Sequence, residues 1–365
     1  MNYYIIPKNN IKIQFNLQLS KDPLEPSLSQ SLFFHLNEIP EQLSSASTQD
    51  DSLEYINQIV NPFEFIHSNV PGSSISVSKV KADSTMFFEL MELFQIFNIN
   101  DVFSTKSQIN VAHLTHNCSS SNYLMDMIRE DNKDITYSSV FDYKTIVDSF
   151  VKQKHTNKFD LMICEFKEEV YREPKQYMKN LLLVLFLLTT YQQSNGICVL
   201  KIDNMFYKPV LDMVLILSSI YDKVCLGKPS ISNVTKGERY LICKGFREGD
   251  TTRKLSLNIG SNLERINLER INDMYISSFI NNPLPYYLLN KLEESNLIIG
   301  QQQLDAHNQT MNLIKNKNRD EKMENMKRSH IQKCIQWCEK NQLPHNKFID
   351  KVNIFLIPKK KEESL

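Results

Sequence analysis

The chain has 365 residues, 41% hydrophobic and 23% charged, an ordinary globular composition with length for two or three domains. Lysine plus arginine and aspartate plus glutamate stand at 42 each, so no overall field marks a nucleic-acid partner, and any such surface has to be local. Only 8 residues are glycine and none lies from Ser73 to Asn195, which excludes Walker A and G-x-G-x-x-G phosphate loops from that stretch.

In chain order, MNYYIIPKNN lacks the basic start and apolar run of a signal peptide. Ile11–Leu19 alternates like a strand, and the Ser/Glu/Pro-rich stretch to Asp51 reads as loop or linker. Ser52–Phe65 reads as a helix stopped at Pro62, and Asp83–Phe97 as a second helix capped by Asp83 or Ser84. From Ser107 short apolar runs alternate with helical segments. Ile109–Leu114, Asp134–Val140 (weakly), Phe159–Phe166 and Gly196–Ile202 read as strands. Ser120–Glu130, Tyr177–Tyr191 and Lys208–Tyr221 read as helices. Two closing strands, Asp222–Pro229 and Glu238–Phe246, are joined by a loop too short for a helix and are expected to be antiparallel. The pattern predicts an α/β fold with a mostly parallel sheet covered on both faces.

Beyond Arg247 the composition shifts to Asn, Glu, Lys, Gln and Leu. LERINLERIN (Leu263–Asn272) is a local duplication within a helix, and Gln301–Asn341 is helical with sparse apolar positions. The interleaved charges of Lys315–Lys333 and the terminal KKKEESL read as a solvated helix face and a frayed tail, with an RNA or partner surface as the alternative. This divides the chain into an N-terminal region (1–100), a core (101–250) and a C-terminal helical extension (251–365).

The 7 cysteines make no disulfide framework and point to reduced, buried thiols inside a cell. Cys334 and Cys338, near His330 and His345, are the nearest approach to a metal set, but their spacing is unusual for zinc, and no metal is expected. The apolar run Leu181–Leu188 is too short to cross a bilayer.

A strand ending in lysine, a helix, then K-P and a loop into G-E-R-Y-L-I-C-K make up GICVLKIDNMFYKPVLDMVLILSSIYDKVCLGKPSISNVTKGERYLICKGF (Gly196–Phe246). This closely resembles the second half of the FtsJ-like family of RNA ribose 2′-O-methyltransferases, and more specifically the FtsJ-like proteins of large cytoplasmic DNA viruses. NPFEFIHSNVPGSSISVSKVK, NKLEESNLIIGQQQLDAHNQTMNLIKNKN and HIQKCIQWCEKNQLPHN resemble the flanks of the same relatives. The resemblance covers most of residues 55–345 and is densest in 196–246.

The resemblance implies a Rossmann-like, S-adenosylmethionine-dependent fold with a Lys-Asp-Lys-Glu tetrad, in which a ribose 2′-hydroxyl attacks the sulfonium methyl group. The second Lys matches Lys201 and the Glu matches Glu238. At the Asp position stands Glu165, and at the first Lys position stands Glu89, with Lys79 and Lys81 off the register. The family tetrad is formally neutral, whereas one lysine and three glutamates give −2. Three carboxylates raise a lysine's pKa, the wrong direction for a base that must lose its proton near neutrality. The family's acidic residue and Pro-Gly-Gly turn after the first strand are replaced here by His116, Asn117 and Cys118, which implies weakened cofactor binding. Only 44 residues separate Leu114 from Phe159, so one strand, the third, is expected to be missing or rudimentary.

Three readings follow. The first is a degenerate FtsJ-like protein that keeps the fold and acts as an interaction or RNA-binding subunit beside an active capping enzyme, in the cytoplasm. The second is a working cap 2′-O-methyltransferase with an unconventional cofactor loop. A pure RNA-binding module using the Lys-rich C-terminal helix is a third, weaker option.

Overall fold

A computed structural model of the chain describes residues 2–46, 53–67, 76–80, 82, 84–100, 106, 108–114, 124, 134–140, 158–203, 205–268, 274–316 and 319–346. The chain opens with strands β1 (Asn2–Ile6) and β2 (Phe15–Ser20) and helices α1 (Gln30–Ala46) and α2 (Leu53–Val60). A 3-10 turn (Glu64–Ile66) leads to α3 (Met86–Ile96), then to strands β3 (Gln108–Leu114), β4 (Asp134–Val140) and β5 (Phe159–Cys164). Next come α4 (Glu168–Arg172), α5 (Pro174–Tyr191), β6 (Gln192–Ile202), α6 (Lys208–Ile220), β7 (Tyr221–Lys228) and β8 (Arg239–Phe246). The remaining elements are α7 (Asp250–Leu268), β9 (Tyr275–Ile280), α8 (Tyr286–Ile314) and α9 (Arg319–Lys340).

Seven strands form one sheet in the order β1-β7-β8-β6-β5-β3-β4. β4, β3, β5 and β6 are parallel neighbours, while β8 lies antiparallel between β6 and β7, as expected for the closing pair. This is a Rossmann-like α/β sheet. Among the described residues it ends at β4 on one side; residues 141–157, where a further strand would fall, lie outside them. The other edge carries β1, antiparallel to β7, which the sequence pattern did not indicate.

Side chains alternate between the sheet's faces, so successive residues feed different cores. Ala112, Leu114, Met162, Cys164, Cys198 and Leu200 pack with α5, α6 and α7. Val111, Leu161, Ile163, Ile197 and Val199 pack with Phe87, Phe88 and Leu90 of α3 and with Ile331, Cys334 and Trp337 of α9. Strands buried on both faces read as continuous apolar runs, which is why β3, β5 and β6 stood out in the sequence.

Several expectations change. Residues 30–46 form a helix, not a loop, despite Pro40 inside it. Its stability comes from docking on α8: Gly300 lacks a Cβ, and one placed there would stand 2.5 Å from a Leu32 methyl group. The early strand starts at Phe15 rather than Ile11 and pairs with β9 in a separate two-stranded sheet. Helix α3 has Thr85, one residue beyond Ser84, at its N-cap position, with no side-chain capping hydrogen bond. The helical stretch Gln301–Asn341 is two helices, interrupted between Ile314 and Arg319. Of the helix expected over 120–130, only Leu124 lies within the described residues, and of LERINLERIN only the part to Leu268.

Candidate active site

The four tetrad positions converge, each placed by a different element. Parallel β6 carries Lys201 to the C-terminal edge of the sheet, where Tyr240 on β8 is its cross-strand partner. Glu238 immediately precedes β8, and Glu165 immediately follows β5, its N–H donating to Leu114 O at 3.0 Å. Glu89 projects from α3. The Lys201 Nζ stands 3.0 Å from Glu238 Oε2, 3.3 Å from Glu165 Oε1 and 3.4 Å from Glu89 Oε2. Lys201 is 8% exposed and Glu89 3%.

Sequence reasoning missed the groups that hold this cluster. The Tyr240 hydroxyl donates to Glu89 Oε2, and the Tyr171 hydroxyl donates to Lys201 O at 3.2 Å while accepting from Phe166 N–H. Tyr240 lies two residues beyond Glu238, hence on the same side of an extended chain, a signal that G-E-R-Y already contained. Lys236 pairs with Glu168 at 3.1 Å and stands 3.9 Å from Glu238. Lys79 is exposed and forms no ion pair with these acids among the described residues; Lys81 lies outside them.

The electrostatics follow from these partners. Burial by itself lowers the pKa of Lys201, but Glu89, Tyr240, Glu165 and Glu238 outweigh it and hold the ammonium well above the ordinary lysine range. Burial pushes the Glu165 carboxyl up, and Glu89 and Glu238 add to this against the pull of Lys201. For Glu238 burial is outweighed by Lys201 and Lys236, which keep its carboxyl below the usual range. The cluster stabilises the charged form of Lys201.

The loop from β7 to β8, which carries Lys236 and Glu238, is pinned at two points. Glu92, one turn along α3 from Glu89, accepts hydrogen bonds from Ser230 N–H, the Ser230 hydroxyl, Ile231 N–H and the Trp337 indole N–H. Lys228 Nζ donates to Asn233 O at 2.7 Å and to Lys236 O. Its burial depresses its pKa to about 8. A cavity of about 270 Å³ opens against Glu238, with Phe33, Tyr171, Arg172, Asp203 and Lys236 in its wall.

The expected cofactor positions His116, Asn117 and Cys118 lie outside the described residues. At the described part of that edge, Glu165 is committed to Lys201, and neither Leu114 nor Cys164 supplies a polar side chain for a ribose or an amino-acid group. Among the described residues no group of three or more His, Cys, Asp or Glu is arranged to hold a metal ion. Cys334 and Cys338 are core residues beside Trp337, and all six described cysteines are free, buried thiols. No helix among the described residues is long and apolar enough to cross a membrane.

No family profile matches the chain. Two known proteins, the cap-specific mRNA (nucleoside-2′-O-)-methyltransferase 1 of Xenopus laevis and that of Mus musculus, are similar to it at 30% identity over 90 residues. That stretch is 24% of this chain and 11% of each relative. Among solved structures, a Listeria monocytogenes protein assigned to the class I S-adenosylmethionine-dependent methyltransferases aligns at 12% identity and a TM-score of 0.32, covering 55% of this chain and 71% of that one. The phosphoethanolamine N-methyltransferase 2 of Haemonchus contortus aligns at 13% identity and a TM-score of 0.26, over 44% and 38% of the two chains. At such scores the likeness carries no weight by itself; the strand order and pairing carry the fold.

Proposed function

We propose that this chain is an FtsJ-like relative of the cap 2′-O-methyltransferases in which the methyl-transfer site has become a structural ion cluster, leaving a subunit that binds RNA or a capping partner. The observation that carries this reading is the set of three carboxylates within 3.4 Å of the Lys201 ammonium. A 2′-hydroxyl is a weak nucleophile, and a lysine that takes or orients its proton must spend time uncharged. Glu89 stands where the resemblance places a second cation, and replacing a cation by an anion moves Lys201 away from that state. The cavity beside Glu238, with Phe33 and Tyr171 in its wall, supplies rings on which a base can stack, while its two cations, Arg172 and Lys236, are both paired with Glu168.

The convergence of Lys201, Glu165 and Glu238 favours a second reading, an active enzyme with an unconventional cofactor loop. Titrating the full chain with S-adenosylmethionine by calorimetry, followed by a methyl-transfer assay on capped RNA, separates the two. The subunit reading expects neither heat at millimolar cofactor nor transfer. Micromolar binding with transfer would sink it.

A further inference from the structure

We propose that the uncovered edge of the seven-stranded sheet, at β1, is the docking surface for this chain's own C-terminal segment Asn353–Ile357, which adds to it as a further strand. The inference does not depend on the methyltransferase reading. β1 ends the strand order, so one row of its N–H and C=O groups has no strand beside it among the described residues. Natural sheets protect such edges with charged side chains, proline, bulges or a covering segment. Asn2–Ile6 contains no charge and no proline, and its pairing with β7, from Asn2↔Lys228 to Ile6↔Val224, runs without a register shift. Nor is the edge covered. Tyr3 and Ile5, which alternation puts on one face, are 45% and 54% exposed. The Tyr3 ring meets that of Phe97 at 5.1 Å, so this is the face that carries α3, and Ile96 beside it is exposed as well.

An occupant of this edge has to be a short, uncharged, apolar strand. Residues 347–365 lie outside the described residues, and they contain one. N-I-F-L-I-P-K (Asn353–Lys359) repeats the pattern of N-Y-Y-I-I-P-K (Asn2–Lys8): asparagine, four apolar residues, proline, lysine. The first of these is β1, followed at once by Pro7, which has no N–H to continue a ladder. The same residue preferences suit the second to a strand, and a strand without a sheet is not stable in water. The described chain also ends close to the edge. Asn341 O, just past α9, accepts from the Gln95 side chain on α3, and Phe97, two residues further along, is the residue packed on Tyr3. The 12 residues from Asn341 to Asn353 reach up to roughly 40 Å, against about 10–12 Å for the width of a helix. Beside β1, Ile354 and Leu356 fall on one face of the sheet and Phe355 and Ile357 on the other, so that one pair joins Tyr3 and Ile5 and the other joins Tyr4 and Ile6. Pro358 and Lys359–Lys361 then give the new edge the proline and the charges that β1 lacks.

The test is hydrogen exchange of the full chain, resolved at residues 2–6 and 353–357, beside a chain ending at Asn346 and the substitution Leu356→Lys. In the full chain the amides of 353–357 are expected to exchange at least about tenfold more slowly than in an unstructured peptide. Truncation is expected to speed exchange in β1 about tenfold, and Leu356→Lys to speed it in both segments. The substitution keeps the chain length and changes no residue of the described core, so it decides the matter if the shortened chain does not fold. Exchange of 353–357 at the unstructured rate, or β1 exchange that neither change alters, overturns the proposal. Protection of β1 that is lost on dilution, together with a dimer mass by light scattering, assigns the edge to a second copy of the chain and overturns it too.

Discussion

Lys201 at the end of β6 and Lys228 at the end of β7 are each 8% exposed, yet their chemistry diverges. Lys228 faces two backbone carbonyls, and burial brings its pKa down to about 8. Lys201 faces three carboxylates, which overcome the burial effect and push its pKa up. Burial sets the cost of a charge, but partners decide the sign of the shift. A lysine base working near neutrality needs surroundings like those of Lys228 at the address of Lys201. This chain has separated the two.

Removing each lysine sharpens the contrast. Lys201→Met leaves three carboxylates clustered without a cation and is expected to cost about 3–5 kcal/mol in urea unfolding at pH 7, less at pH 5 as the acids take up protons. A loss below about 1 kcal/mol would mean that the cluster is not a structural element. The next effect is a pH slope. Lys228 has a folded pKa of about 8 against about 10.4 unfolded, so over that window the unfolded chain binds more protons and stability rises with pH. The rise attributable to this group is about 3 kcal/mol, and Lys228→Met is expected to abolish it. Lys201 acts in the opposite sense: its raised pKa contributes stability that is complete below about 10.4 and is lost above it as the folded ammonium deprotonates.

Smaller changes probe the partners. Glu89→Gln keeps an acceptor for the Tyr240 hydroxyl, removes one carboxylate and lowers the pKa of Lys201 at a stability cost of about 1 kcal/mol. Glu89→Lys brings the formal sum of the four positions to zero and lowers that pKa further. Both are read by lysine side-chain NMR, and an unchanged Lys201 titration would contradict the assigned role of Glu89. Trp337→Phe removes one donor to Glu92, costs about 1 kcal/mol, and loosens the loop from β7 to β8 as seen by faster hydrogen exchange at Ser230 and Ile231.

The parts legible in the sequence were those where one pattern had one solution. β3, β5, β6 and α5 are apolar runs buried on both sides, and the Gly196–Phe246 segment placed Lys201 and Glu238 together before any coordinates. Helix α1 was hidden because Pro40 and a Ser/Glu/Pro composition mimic a loop, and its support is tertiary, from α8. β1 and β9 escaped notice because each is a short strand whose partner is more than 200 residues away in the chain. Tyr171 and Glu92 act through hydrogen bonds that bridge distant segments, which no local spacing encodes.

The most direct test is a pH titration of the Lys201 side chain by ¹⁵N-resolved NMR in the full chain, assigned with Lys201→Met. The structure predicts an ammonium that remains charged beyond pH ~10.4, while Lys228 titrates near 8. A Lys201 midpoint between about pH 6 and 8 would contradict the account and restore this lysine as a working base.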